Sequence, residues 1–151
     1  IIISKSSSLD ILGVLIFKGK ARLGNFTNIY VGPTGTLILG DNFWVTGHLR
    51  LMCKKEILFG KDCLLAWDID IMDTDFHKVT QLGSIVNADR KIEIGNHVWI
   101  GSRTTLLKGT LILDNIIIAA SSLVRGKLTE NDSIYAGNPA KLVKNGVSWE
   151  A

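Results

Sequence analysis

An aliphatic residue recurs at every sixth position in the C-terminal half of the chain. The members of this series are Ile94, Ile100, Leu106, Ile112, Ile118 and Val124. An α-helix has a period of about 3.6 residues and a strand a period of about 2, so neither keeps this spacing. A fixed six-residue interval is typical of a β-helix, in which hexapeptides form triangular coils of about 18 residues that stack as parallel strands. The sequence therefore predicts an all-β solenoid.

The aliphatic series continues upstream with changes of phase. One set comprises Leu39, Val45, Leu51 and Ile57, and a second, displaced by two residues, comprises Phe59, Leu65 and Ile71. We therefore expect a single domain over residues 1–151, with irregular N-terminal coils at 1–30, regular coils at 31–125 and a C-terminal cap or tail at 126–151. The alternative is chance spacing in a β-sandwich, but that fold places turn signals at irregular intervals.

The series is interrupted between Ile71 and Ile94. The interval is 23 residues, where one coil needs about 18. We expect five extra residues to leave the solenoid as a loop excursion at about 72–93. Loops on a rigid scaffold often carry binding and catalytic groups, so this interruption is the first place to look for chemistry.

The interruption contains two carboxylates and an imidazole within five positions, at Asp73, Asp75 and His77. The other two histidines, His48 and His97, lie within coils. Histidine titrates near neutral pH, so His77 is the natural candidate for a general base. The alternative is a solvated surface histidine, and the spacing alone does not separate the two.

A column of small residues is expected beside the repeat. Ser102 and Ala120 lie one coil apart and should stack one above the other, next to Trp99 and Gly101. Such a column makes a groove in which an extended ligand can run close to the backbone. Beyond it in sequence stands a set of basic residues suited to phosphate, although each one singly is more often a solvated surface group. These basic residues are Arg125, Lys127, Lys141 and Lys144.

Composition excludes several classes of protein. The net charge of +3 argues neither for nor against nucleic acid by itself. No run of Lys or Arg is interleaved with aromatics, so we expect no nucleic-acid partner. Cys53 and Cys63 form no Cys-x-x-Cys pair, which favours reduced core residues of a cytoplasmic protein over a disulfide. The apolar stretch 11–17 is too short for a bilayer, which needs about 20 residues, and lacks the pattern of a signal peptide. We therefore expect no direct membrane anchor.

A short solenoid leaves flat faces open, and a cyclic homotrimer is a natural way to cover them.

Four segments together resemble the hexapeptide-repeat acyltransferases with a left-handed parallel β-helix. They are 73–77 (Asp-Thr-Asp-Phe-His), 92–102, 119–124 and 136–141. The best match is to galactoside, maltose and serine acetyltransferases and to O-acetyltransferases of bacterial polysaccharide clusters. The resemblance implies the left hand, which the period alone does not fix. It also implies transfer of an acetyl group from acetyl-coenzyme A to a hydroxyl of a sugar or saccharide precursor, without a metal, in sites between the subunits of a homotrimer.

The resemblance implies catalytic roles for three residues. His77 matches the histidine that takes the proton from the acceptor hydroxyl. Ser102 matches the position whose backbone N–H faces the oxyanion of the tetrahedral intermediate. Asp75 is a candidate to hold the imidazole tautomer, and Asp73 or a backbone carbonyl are the alternatives.

The resemblance also implies the coenzyme A contacts. Trp99, Gly101, Ser102 and Ala120 are expected along the reaction centre and the pantetheine arm, whereas Arg125, Lys127 and Lys141 are assigned as a group to the phosphates. The chain departs from the family pattern at Leu113 and Ser121, where glycine is usual, and at Arg125-Gly126, where Thr-Lys is usual.

Two other functions compete with this interpretation. A non-catalytic β-helix scaffold would keep the aliphatic series but has no reason to keep the Asp-x-Asp-Phe-His loop. A zinc hydratase resembling γ-type carbonic anhydrase needs three converging imidazoles, and the three histidines here are 29 and 20 residues apart.

Overall fold

The computed structural model describes all 151 residues and contains strands but no helices. In chain order the strands are β1 (Ile2–Ile3), β2 (Ser8–Ile11), β3 (Val14–Phe17), β4 (Ala21–Asn25), β5 (Asn28–Val31), β6 (Thr36–Leu39), β7 (Phe43–Cys53), β8 (Glu56–Phe59), β9 (Leu64–Met72), β10 (Thr80–Gln81), β11 (Ser84–Ile85), β12 (Ile92–Ile94), β13 (Trp99–Ile100), β14 (Thr105–Leu107), β15 (Leu111–Ile112), β16 (Ile116–Ile118), β17 (Leu123–Val124), β18 (Lys127–Leu128), β19 (Ser133–Gly137) and β20 (Ala140–Asn145). None of the elements is a helix that could cross a bilayer.

Parallel pairing arranges these strands as the three faces of a solenoid. Face A is the ladder β1-β4-β7-β9-β13-β16-β19, and face C is the ladder β3-β6-β8-β12-β15-β18. Face B consists of β2, β5, the second halves of β7 and β9, β14 and β17. Strands β7 and β9 each pass through the corner from face A to face B, which we call the A/B corner. The predicted all-β solenoid is confirmed.

The aliphatic series forms the interior. All six members of the series from Ile94 to Val124 are at most 3% exposed, and they belong to one core of 28 buried residues. Ile100 pairs with Ile118 and Leu106 with Val124, so each face contributes a continuous inward column. Full burial of each such side chain stabilises the fold by about 1.5–3 kcal/mol. Cys53 and Cys63 are free and buried in the same core, as predicted.

Coil length differs along the solenoid. After the excursion the coil has the predicted length, because Arg103 and Ser121, at the same place in successive coils, are 18 residues apart. Before the excursion the coil is longer, because the paired residues Arg50 and Asp70 are 20 residues apart. This longer coil accounts for the change of phase seen in the sequence. The N-terminal coils, expected to be irregular, nevertheless stack in register on their neighbours.

The excursion is much longer than predicted. Trp67 and Ser102 are neighbours on successive coils, yet they are 35 residues apart, which is about twice the length of one coil. The prediction of five extra residues is wrong because Ile71 lies on face B and Ile94 on face C, so the two do not belong to one column. The excursion covers residues 73–91 between β9 and β12.

The excursion carries a small antiparallel hairpin, β10–β11. Leu82 and Gly83 form its turn with φ angles of 50° and 79°, as in the primed turns that match the twist of a hairpin. The side chain of Leu82 is fully exposed at the tip. The arm therefore projects from the corner where face B ends and face C begins.

Two corners of the solenoid carry non-glycine residues in the left-handed region, with φ between 53° and 60°. At the C/A corner, where each coil passes from face C to face A, they are Asn42, Asp62, His97, Asn115 and Asp132. At the A/B corner they are Phe26, His48, Asp68, Arg103 and Ser121. Asn, Asp and His adopt this conformation more readily than other residues, so the two corners differ in how well their side chains suit the backbone.

Candidate active site

A groove runs over the outer side of face A beside the A/B corner. It has a volume of about 420 Å³, and its lining is mostly hydrophobic. The four residues predicted along the reaction centre and the pantetheine arm, Trp99, Gly101, Ser102 and Ala120, all line it. The structure therefore brings these four together, and Trp67 joins them from the preceding coil.

The floor of the groove at Gly101 is backbone. A Cβ atom at this position would lie 2.7 Å from the carbonyl oxygen of Ile118 and 2.7 Å from the backbone nitrogen of Ala120. Real Cβ atoms do not come this close to backbone, because the interior of the coil stack is already filled to van der Waals contact. Glycine at position 101 thus allows two coils to approach closely beneath the groove.

Ser102 offers an unused backbone donor at the edge of this floor. Its carbonyl oxygen accepts from the backbone N–H of Ser121 at 2.8 Å, which ties two coils together. Its hydroxyl accepts from the backbone N–H of Trp67 at 3.4 Å. The backbone N–H of Ser102 donates to no acceptor within the chain. Unpaired backbone donors at partly buried positions are uncommon, so this N–H is available to an oxygen in the groove.

The aromatic wall of the groove is supported by the C-terminal tail. The ring of Trp149 stacks on His97 with a centroid distance of 4.2 Å and lies 6.0 Å from the ring of Trp99. Its indole N–H donates to the carbonyl oxygen of His97 at 3.1 Å. Nδ1 of His97 in turn lies 3.1 Å from the side-chain oxygen of Asn115. These contacts hold Trp149 behind Trp99.

The sequence reasoning missed Trp67, Trp149 and Arg103. Arg103 lies next to Ser102 at the A/B corner, and its Nε donates to the hydroxyl of Ser121 at 3.2 Å. The spacing of Arg103 and Ser121 by one coil was a usable signal for this pair. Trp67 lies on the coil preceding that of Ser102, and this position could not be predicted without the length of the excursion. Nothing in the sequence near Trp149 indicates where the tail docks. Ser121, the departure at a usual glycine, does not line the groove.

His77 lies in the excursion and not in the groove of its own chain. It lines a separate pocket of about 170 Å³ with Lys54, Phe76 and Asn87. Asn87 holds the backbone around it, because its side-chain NH₂ donates to the carbonyl of His77 at 2.8 Å and its oxygen accepts from the N–H of Val79 at 2.6 Å. The side chain of His77 is exposed, so its ring nitrogens are accessible.

The carboxylate of Asp75 forms hydrogen bonds with Lys108 and Asn87 and not with the imidazole of His77. It accepts from Nζ of Lys108 at 2.5 Å and from the side-chain NH₂ of Asn87 at 2.8 Å. These two hydrogen bonds, that of Lys108 first, lower the pKa of Asp75 below its usual value. Asp75 therefore ties the excursion to the turn after β14, and no hydrogen bond joins it to the ring of His77.

Asp73 has a structural role that excludes it as a partner of the imidazole. Its side chain is fully buried. The carboxylate accepts from the backbone N–H groups of Lys54, Lys55 and Glu56 at 2.8, 2.8 and 2.7 Å. The alternative that Asp73 orients His77 is wrong, because its acceptor capacity is used by the turn of the coil beneath.

The basic residues assigned to phosphates do not gather at one place in a single chain. Lys141 pairs with Ala136 on β19, at the end of face A. Lys127 pairs with Leu111 on face C, and Arg125 stands just before it at the B/C corner. The expected cluster is divided because β18 begins only after the chain has turned away from the groove.

The three histidines occupy three separate parts of the solenoid. His48 lies at the A/B corner, His77 in the excursion and His97 at the C/A corner. No group of three or more His, Cys, Asp or Glu side chains is arranged as a metal site. The geometry of a three-histidine zinc centre is therefore not met within the chain.

No family model matches the chain, but it is similar to individual proteins. Polysialic acid O-acetyltransferase of Neisseria meningitidis is 36% identical over 105 residues, which are 68% of this chain and 49% of that protein. Galactoside O-acetyltransferase of Escherichia coli is 27% identical over 119 residues, covering 77% of this chain and 57% of the relative. The chain spans between 49% and 61% of the length of the first curated relatives that it matches.

The fold is also shared with solved structures. A variant of AntD, an N-acyltransferase from Bacillus cereus in complex with dTDP and coenzyme A, superposes with a TM-score of 0.79 at 19% identity, over 95% of this chain and 80% of that chain. The predicted left-handed parallel β-helix is thereby confirmed. The aliphatic coils, the four matching segments and these similarities together establish that the chain belongs to the hexapeptide-repeat acyltransferase family.

Proposed function

We propose that the chain transfers an acetyl group from acetyl-coenzyme A to a hydroxyl of a saccharide. The observation that carries this proposal is the groove of face A, which combines a backbone floor, aromatic walls and the free N–H of Ser102. Relatives named for O-acetylation of polysialic acid and galactosides support the saccharide acceptor. The coenzyme A complex of a protein with the same fold supports the donor.

The groove suits the pantetheine arm of coenzyme A. That arm is narrow and extended and carries amide groups, so it needs apolar walls and close access to backbone. Trp67 and Trp99 supply the walls, and Gly101 and Ala120 leave the floor open. Lys141 lies near the far end of this path and is our candidate for a phosphate contact, whereas Arg125 and Lys127 would have to act from the corner of a neighbouring copy.

His77 is the proposed general base. It removes the proton from the acceptor hydroxyl while that oxygen attacks the thioester carbonyl, which is worth on the order of 10²–10⁴ in rate. The N–H of Ser102 donates to the oxyanion of the tetrahedral intermediate, and one such donor typically contributes about 10²–10³. When the intermediate collapses, the C–S bond breaks and the coenzyme A thiolate takes the proton from the imidazole. Asp75 acts as a positioning residue that holds the excursion through Lys108.

A second copy of the chain is required to bring His77 to the groove. The excursion leaves from the B/C corner, whereas the groove lies beside the A/B corner of the same chain. The arm exposes several apolar side chains, and such patches commonly mark interfaces. They are Val79, Leu82, Ile85 and Val86, each at least half exposed. We therefore propose a cyclic homotrimer in which each arm reaches the groove of a neighbour.

The cytoplasm is the proposed compartment, where acetyl-coenzyme A is available and thiols stay reduced. The two free cysteines are compatible with it. Burial raises the pKa of both the Cys53 and Cys63 thiols to about 12. Both therefore remain protonated and weakly reactive near neutral pH.

The direct test is release of free coenzyme A thiol in the presence of acetyl-coenzyme A and a panel of saccharides. The proposal predicts release that requires both an acceptor and His77. The two buried cysteines contribute little background because of their raised pKa. Binding of coenzyme A in calorimetry without turnover by any saccharide would leave a binding scaffold as the better description, and absence of binding would contradict the transferase.

A further inference from the structure

A second cavity lies along the same corner as the groove, on the side of the N-terminal coils. We call it the corner pocket, and it has a volume of about 360 Å³. Its lining residues are Phe26, Asn28, His48, Arg50, Asp68 and Asp70. Trp67 of the groove directly precedes Asp68, and Thr46 of the groove stands two residues before His48. The corner pocket and the groove are therefore neighbours along one edge of the solenoid.

The charges of the corner pocket leave one carboxylate free. Nε and a terminal nitrogen of Arg50 donate to the two oxygens of Asp70 at 2.5 and 2.7 Å, which neutralises both groups. The nearest opposite partner of Asp68 is Nδ1 of His48 at 3.7 Å, which is beyond hydrogen-bond distance. Both of these side chains are more than half exposed, at 59% for Asp68 and 53% for His48. Asp68 and His48 are thus free to bind hydroxyl groups.

The aromatic part of the corner pocket is held at a conformational cost. Phe26 has a φ of 57°, and its ring lies 4.8 Å from the ring of His48. A bulky residue in the left-handed region costs about 1 kcal/mol or more, and the residue is still 51% exposed to solvent. Burial therefore does not explain a phenylalanine at this position, whereas a ligand that packs on its face does.

We propose that the corner pocket is the acceptor subsite and that it binds the ring of an uncharged saccharide. This inference rests on the proposed function. The C–H face of a pyranose packs on the exposed ring of Phe26, and its hydroxyl groups donate to Asp68 and bind His48. With two aspartates and one arginine, the corner pocket has an excess of one negative charge, which disfavours an anionic sugar. Because Trp67 of the groove directly precedes Asp68, a sugar held there lies next to the groove.

The test substitutes asparagine, which tolerates the left-handed region and so preserves the corner. Phe26→Asn removes the ring, and Asp68→Asn removes only the charge. The matched control is Asp62→Asn, because Asp62 has a φ of 59° at the C/A corner, away from both cavities. Methyl glucoside, methyl galactoside and maltose are the probes, followed by ligand-observed NMR and by thiol release at saturating acetyl-coenzyme A.

We expect Phe26→Asn and Asp68→Asn each to weaken binding of the sugar, or raise its KM, by about tenfold. Asp68→Asn loses a charged hydrogen bond, and Phe26→Asn loses the apolar face on which the sugar ring packs. The KM for acetyl-coenzyme A should change less than about twofold, and Asp62→Asn should match the parent. Methyl glucuronide should bind the parent more weakly than methyl glucoside, and Asp68→Asn should narrow that difference.

Sugar binding that is equal in the parent and both corner-pocket variants would overturn the subsite while leaving the transferase intact. Absence of binding by all three neutral sugars would overturn it as well. Failure of the parent to bind coenzyme A would instead contradict the proposed function. Even then, NMR on the parent and the two variants would show whether the corner pocket binds a sugar.

Discussion

The A/B and C/A corners share one backbone conformation, and both include His and Asp, but only the A/B corner also carries Phe, Arg and Ser in it. At the C/A corner the side chains bond along the stack: the NH₂ of Asn42 donates to Asp62 at 2.9 Å, and His97 lies 3.1 Å from Asn115. At the A/B corner Phe26, His48 and Asp68 line the corner pocket. Arg103 and Ser121 line neither cavity, and the hydrogen bond between them is the one side-chain bond along this corner.

The side chains of the C/A corner contact one another along the coil stack, whereas three of those at the A/B corner line the corner pocket. At the C/A corner every residue in this conformation is Asn, Asp or His. These residues suit the left-handed region, and two pairs of them interact along the stack. Where a phenylalanine and an arginine occupy the same conformation, they are strained, and strain of this kind concentrates at functional sites. The A/B corner is therefore the side of the solenoid at which we propose that both substrates bind.

The largest effect is expected outside both corners, at His77 in the excursion. His77→Ala should lower kcat by about 10²–10⁴, because it removes the proposed general base, without changing oligomeric state or coenzyme A affinity. Kinetics and calorimetry on the purified protein measure these quantities. Lys78→Ala, a change at the next exposed position, serves as the control. Equal turnover in His77→Ala and the parent would remove His77 from the mechanism.

The next effect tests the A/B corner at Ser102. Ser102→Pro removes the backbone N–H and should lower kcat by about 10²–10³, whereas Ser102→Ala keeps the N–H and should stay close to the parent. A cooperative thermal transition in both variants would show that each is folded. Similar rates for the two variants would mean that the backbone donor does not act on the oxyanion.

A smaller effect is expected where the tail meets the C/A corner. Trp149→Ala removes the stack on His97 and the support of Trp99, and aromatic pairs of this kind are worth about 0.5–1.5 kcal/mol. We expect the KM for acetyl-coenzyme A to rise about three- to tenfold with little change in kcat. Trp44→Ala is the control, because Trp44 lies on the same face and packs against Arg22 but does not line the groove. An unchanged KM would show that Trp99 holds its place without the tail.

The smallest effect concerns the anchor of the excursion. Lys108→Ala removes the main cause of the lowered pKa of Asp75. A carboxyl whose pKa is lowered by folding stabilises the native state at any pH above the pKa that it has in the unfolded chain, about 4. That stabilisation is lost as the pH falls through the lower pKa of the folded state. The variant should therefore be slightly less stable than the parent at pH 7 and equal to it at low pH. Denaturant titrations at both pH values measure the free energy of unfolding of the parent and the variant. If the two proteins differ by the same free energy at both pH values, the charge of Asp75 is not involved.

The sequence was sufficient wherever the chemistry is local to the repeat. The six-residue series placed Ile94 and its successors in the core, and the spacing of one coil placed Ser102 beside Ala120. It did not give the length of the excursion, because an aliphatic residue such as Ile94 looks the same on any face. The hand of the coil came only from the resemblance.

Long-range partners could not be read from spacing. Lys108 stands 33 residues from Asp75 in the sequence. The two side chains meet because the coil that contains the excursion places the turn after β14 beside Asp75. Trp149 stands 52 residues from His97, and it docks through a tail outside the repeat. The basic residues Arg125 and Lys127 were grouped with Lys141 by sequence order, although the corner of the solenoid separates them.

In the proposed mechanism, His77 of one copy acts at the groove of another, and mixed trimers test this directly. Chains carrying His77→Ala and chains carrying Ala120→Trp, which blocks the groove, should each be inactive as homotrimers. Trimers formed by co-expressing the two chains should regain activity, to about a quarter of the parent level for random assembly from equal amounts. Mixed trimers as inactive as the separate variants would contradict the claim and place both groups of each site on a single chain.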